Sequence, residues 1–193
     1  MAEPPFGFTV RVPDTWYAFD VLRAGRTGDL ARLVDARVAA APELAPHRPL
    51  LLKVLREVAD LAARRGAVFC AAMTDHGAGG AVLATLMALR TPGPQDPAGA
   101  TPEAIAAGLA GRGAELVELD AGRAVRVADV RTGGAGEPGA VTMQTLVPVP
   151  GGHGVLDLVL TSPHPELAEP LLDLFDAISA TLAWSDPVSA AKE

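Results

Sequence analysis

Four histidines, His47, His76, His153 and His164, are the side chains in this sequence that could exchange protons or hold a metal near neutral pH. All fall at turn-forming stretches, and no two stand three or four residues apart as metal ligands on one helix would. Asp75-His76 on one turn and His153 or His164 on a later one could form an acid/base or metal site only where the fold brings those turns together. On that condition rests one functional hypothesis, a small hydrolase or metal-dependent enzyme using Asp75, His76 and His153. The competing reading is that these are polar residues at exposed turns, with no metal and no cofactor.

Other candidates carry less chemistry. Cys70 sits among Val68, Phe69 and Ala71, where a thiol packs as a small apolar group rather than serving as a nucleophile. Ser162, Ser179, Ser185 and Ser189 lack the glycines of a nucleophile elbow. Gly134-Ala135-Gly136-Glu137-Pro138-Gly139 has the spacing of a dinucleotide fingerprint, but a β-rich run, Val141 to Val149, follows where a helix N-terminus is required. Gly77-Ala78-Gly79-Gly80 has no lysine and no following helix, so it reads as a hairpin turn. Glu115 and Glu118 differ by three and so face opposite sides of a strand, which argues against paired carboxylates.

At 193 residues the chain suits one domain with a sizeable core. No apolar run approaches the roughly 18 residues of a membrane span. The first residues, Met1-Ala2-Glu3-Pro4-Pro5, have neither the basic region nor the apolar core of a secretory signal, so a cytoplasmic location is expected. A single cysteine excludes an intrachain disulfide. The net charge of -7, with arginines scattered and only two lysines, Lys53 and Lys192, disfavours nucleic acid and anionic membranes as partners.

The positioning elements follow from periodicity. Phe6, Phe8, Val10 and Val12 alternate as a strand, which Pro13 to Tyr17 ends. Leu30, Leu33, Val34, Val38 and Ala41 recur at helical spacing, with Asp29 as cap and Pro42 and Pro46 as stops. Leu51, Leu55, Val58 and Ala62 mark a second helix ended by Gly66. Ala67–Met73 and Ala81–Leu89 read as a hairpin, Thr101-Pro102-Glu103 starts a short helix, and Ala114–Leu119 and Arg123–Arg131 form another hairpin. Val141–Pro148 and Val155–Thr161 form a third, followed by a helix that carries Leu167, Leu171, Leu174, Phe175, Ile178 and Leu182 on one side and ends near Trp184. Pro170 places the start of its regular part. The expected class is α+β, a single domain over residues 1–185 with a mostly antiparallel sheet covered by helices as an α/β/α sandwich, and a frayed tail at 186–193.

Two stretches resemble the PsbP/Mog-type superfamily. Phe8-Thr9-Val10-Arg11-Val12-Pro13-Asp14-Thr15-Trp16 is similar to that group's opening strand, proline and tryptophan. Leu156 to Ser162, with Leu171-Leu172-Asp173-Leu174-Phe175-Asp176-Ala177-Ile178, is similar to its closing strand and helix. Members include photosystem assembly subunits, a nuclear-import factor that binds a small GTPase, LpqN-type lipoproteins and chaperones of secreted effectors. The resemblance implies an antiparallel sheet between helices and protein binding without catalysis. The leading functional expectation is therefore an adaptor, assembly factor or secretion chaperone, its partner another protein such as a secreted or assembly substrate. Its contact surface would lie at the sheet end near Trp16, Tyr17, Asp75, His76 and His153, or along an edge strand offered for pairing. A homodimer and a small apolar ligand between sheet and helices stay open as further readings.

Overall fold

The computed structural model describes residues 7–19, 21, 27–77, 80–91, 101–134, 138–152 and 154–185. In chain order its elements are β1 (Gly7–Thr9), β2 (Trp16–Phe19), α1 (Thr27–Ala40), α2 (Arg48–Arg64), β3 (Ala67–Gly77), β4 (Gly80–Thr91), α3 (Pro102–Gly108), β5 (Glu115–Leu119), β6 (Gly122–Arg131), β7 (Ala140–Pro148), β8 (Val155–Ser162), α4 (Ala168–Ala180) and β9 (Ala183–Ser185). Short 3-10 turns cover Pro42–His47, Ala110–Arg112, Pro150–Gly152 and Pro165–Leu167. The fold is α+β with a mostly antiparallel sheet. By density of contact the chain divides into Pro13–Leu89 and a second unit made of Met1–Val12 with Arg90–Glu193.

In the unit Pro13–Leu89, β3 lies between β2 and β4. The β3–β4 hairpin runs from Ala67↔Leu89 to Gly77↔Gly80, so the sequence-predicted strands extend further toward the turn than apolar composition indicated. Leu51, Leu55, Val58, Ala59 and Ala62 form the buried stripe of α2, while Lys53 and Glu57 pair across its exposed side at 3.9 Å. Pro49 sits in the first turn of α2, where an N–H has no helical acceptor anyway. Gly66 reverses the chain after it at φ +70, a conformation that strains any side chain with a Cβ. Tyr17, Phe19, Leu30, Val34, Leu51, Leu55, Val58 and Cys70 share one core.

The second unit carries the strand order β8-β7-β6-β5 and a separate pair, β1 with β9. β7 and β8 alternate strictly, burying Val141, Met143, Thr145 and Val147 beside Leu156, Leu158, Leu160 and Ser162. Onto these strands α4 packs Leu171, Phe175, Ile178 and Ser179. Pro170 lies in the first turn of α4, after the 3-10 turn Pro165–Leu167, where its missing N–H costs no helical bond. Thr101 caps α3, its hydroxyl accepting from the Ala104 N–H at 3.2 Å.

Three expectations are corrected. The opening strand ends at Thr9 instead of Val12, because the chain leaves the ladder at Val10, while Phe6 lies outside the described residues; the Arg11 N–H then donates to Thr181 Oγ1 at 2.8 Å. The stretch expected to be a turn through Tyr17 turns only at Asp14-Thr15, with the Trp16 N–H donating to the Pro13 carbonyl, and Trp16–Phe19 then forms β2 against Cys70–Met73. The last helix stops at Ala180 rather than near Trp184. Thr181 turns its hydroxyl back onto the Ile178 carbonyl at 2.7 Å, and Ala183–Ser185 pairs with Gly7–Thr9. Leu182 is buried beyond the helix, and Leu167 and Leu174 are only half-buried.

Candidate functional site

Trp16 and Tyr17 are inside the protein, only 7% and 4% exposed. Their strand pairs Trp16 with Met73 and Tyr17 with Ala72, so it runs beside the stretch of β3 that leads to Asp75 and His76. The backbones of Asp75 and His76 continue that strand opposite Val82 and Ala81, so both precede the turn instead of forming it. Their side chains, and His153 entirely, lie outside the described residues. The Trp16 indole N–H and the hydroxyls of Tyr17 and Thr74 are buried with no hydrogen-bond partner among the described residues. Burial pushes the Tyr17 phenol up, opposed by the nearby Thr74 hydroxyl and by the Arg37 charge. The two hydroxyls are thus neighbours without completing a bond, which costs stability instead of conferring reactivity.

The remaining candidates resolve into local roles. His164 Nδ1 lies 3.0 Å from Glu166 Oε1 within the turn that leads into α4. Cys70 is fully buried, and burial pushes its thiol up to about 12, the opposite of an activated nucleophile. The glycine-rich run that ends at Gly139 leads into β7, not a helix. A Cβ at Gly139 would come within 2.5 Å of Pro165 and 2.9 Å of the Gly133 nitrogen, so this glycine serves close backbone packing. Among the described residues no group of three or more His, Cys, Asp or Glu is placed to hold a metal ion, and no helix is long and apolar enough to cross a membrane.

The more informative geometry is at β5, the terminal strand of its order. The hairpin from β5 into β6 closes on Asp120 and Ala121, with Leu119 opposite Gly122 and the register unbroken to Glu115 opposite Arg126. In such a hairpin the closing pair exchanges both backbone bonds and the exchange then alternates. Glu115, Val117 and Leu119 therefore bond to β6, while the N–H and C=O of Leu116 and Glu118 point away from it. Leu116 is 45% exposed, large for an apolar residue on a strand. Glu118 accepts from Arg123 Nε at 2.8 Å, and Arg123 also reaches Glu103 of α3 at 2.6 Å.

One titratable group was not singled out by sequence reasoning. Asp157, in the middle of β8, accepts from Gln144 Nε2 at 2.7 Å, and Gln144 in turn accepts from Arg112 at 3.4 Å. Its other oxygen is buried without a partner among the described residues. Burial pushes the Asp157 carboxyl up, against the opposing pull of Gln144 and the Arg112 charge. The available signal was an acid within Val155-Leu156-Asp157-Leu158-Val159-Leu160, where every neighbour is apolar.

No protein-family model matches the chain, and no curated protein matches it.

Proposed function

We propose that this protein is a non-catalytic binding module, an adaptor, assembly factor or secretion chaperone working in the cytoplasm, and that it takes its partner by adding a strand to β5. The observation that carries this reading is the outer edge of β5, where Leu116 and Glu118 direct backbone donors and acceptors away from β6 beside an exposed leucine. Extended polypeptide is the ligand that such an edge satisfies, because main-chain hydrogen bonds supply affinity and alternate side chains supply selectivity. The resemblance of both chain ends to the PsbP/Mog-type superfamily, whose members bind proteins, supports the same class of function.

A proline at Leu116 tests this reading. It removes the outward N–H while leaving the bonds from β5 to β6 intact, a setting in which a strand tolerates proline. Capture from the native host should return a partner with the wild-type chain and with Leu116→Ala, and lose it with Leu116→Pro at unchanged circular dichroism. Equal capture by wild type and Leu116→Pro would refute docking at this edge.

A further inference from the structure

We infer that the segment received by β5 belongs to a different polypeptide and carries basic residues at two positions separated by two apolar ones. This inference rests on the edge-docking reading and adds the chemistry of the partner. The receiving edge reads Glu115-Leu116-Val117-Glu118, and its two glutamates fall on opposite faces of the strand. Around it stand the carboxylates of Glu103, Glu115, Glu118 and Asp120 against the guanidinium of Arg123, which Glu103 and Glu118 share. Arg126, opposite Glu115 in the ladder, gives its guanidinium to Asp176 on α4 instead. Arg112 donates to Gln144. The Glu115 carboxylate is left exposed and without an ion pair among the described residues.

An added strand places one residue opposite each of these four. A cation opposite Glu115 meets an uncompensated carboxylate, and a cation opposite Glu118 joins a site where two carboxylates share one arginine. An apolar residue opposite Leu116 covers the exposed leucine, and one opposite Val117 packs on the half-buried valine of the other face. The matching segment therefore reads basic, apolar, apolar, basic, with its two cations on opposite faces. A second copy of this chain fits poorly. Antiparallel pairing of β5 with itself brings in four more carboxylates with too few cations, between molecules that each carry a net charge of -7.

Three blocked peptides titrated into the full chain, with the amide signals of Leu116 and Glu118 observed by NMR, test the inference. One has a Lys-Val-Val-Lys centre, one a Val-Lys-Lys-Val centre of equal composition, and one a Glu-Val-Val-Glu centre. The first should bind at those two amides about tenfold more tightly than either of the others at low salt, with the advantage shrinking as salt is raised. In Glu115→Lys/Glu118→Lys the preference should pass to the glutamate peptide. Equal binding of all three at Leu116 and Glu118 would overturn the charge pattern while leaving edge docking standing. Failure of every peptide to move those amides, together with host capture unaffected by Leu116→Pro, would overturn both. A concentration-dependent dimer in sedimentation that Leu116→Pro abolishes would assign the edge to a second copy and overturn the inference.

Discussion

β7 and β5 are strands of the same ladder with opposite fates. In β7, side chains alternate between buried and half-buried along the whole strand, with β6 on one side and β8 on the other. In β5, of similar β-forming character, three of five residues are exposed and, among the described residues, β6 is the only strand beside it. From Val141 to Leu146 β7 is paired on both sides, whereas the backbone groups of two of the five β5 residues, Leu116 and Glu118, are held in strand geometry and left over. That is the physical meaning of an edge: the order needed for binding is already present before a partner arrives.

Substitutions sharpen the contrast. Met143→Pro in β7 removes a ladder bond from a strand paired on both sides and should cost about 3 kcal/mol or more, whereas Leu116→Pro should cost under about 1 kcal/mol; paired urea melts read both. Equal losses would mean that β5 is not an edge. Phe175→Ala opens a cavity where α4 meets β7 and β8 and should cost about 3 to 5 kcal/mol in the same assay. Tyr17→Phe deletes a buried hydroxyl that has no partner among the described residues and should leave stability unchanged or raise it by up to about 1 kcal/mol. A clear loss there would mean that the hydroxyl is satisfied in solution.

Asp157 gives the smallest effect, with a defined sign. Its carboxyl is pushed up in the folded chain, so the native state binds a proton at a pH where the unfolded chain has already released it. Its contribution to stability is therefore most favourable below the ordinary aspartate range, and it is lost as pH rises through the raised value. Asp157→Asn should remove that part of the pH dependence of the melting midpoint, and an unchanged slope between wild type and variant would contradict the assignment.

Local pattern carried much of this fold. The buried stripe of α2, the turn at Gly66, the Thr101 cap, the start of α4 near Pro170 and the three hairpins each depend on residues close in sequence, so periodicity and turn chemistry expose them. β2 and β9 escaped because their partners are distant. Trp16-Tyr17-Ala18-Phe19 shows no alternation, since Trp16, Tyr17 and Phe19 are all buried, and it follows a turn at once. Ala183-Trp184-Ser185 prolongs an apolar helical pattern until Thr181 and the pairing with Gly7–Thr9 override it. The candidate edge was less legible still. Glu115-Leu116-Val117-Glu118-Leu119 is visibly a strand, but nothing local states how many neighbours it has. Asp157 was passed over because alternation alone does not report whether the second face of a strand is covered.

Residue-resolved amide hydrogen exchange along β5 tests the central claim most directly. The account predicts an alternation, with Glu115, Val117 and Leu119 protected by β6 and Leu116 and Glu118 exchanging near the rate of an open chain until a partner strand slows them. Protection of Leu116 and Glu118 equal to that of Val117 in the isolated protein would mean that the outer edge is already occupied, and the proposed docking site would not exist.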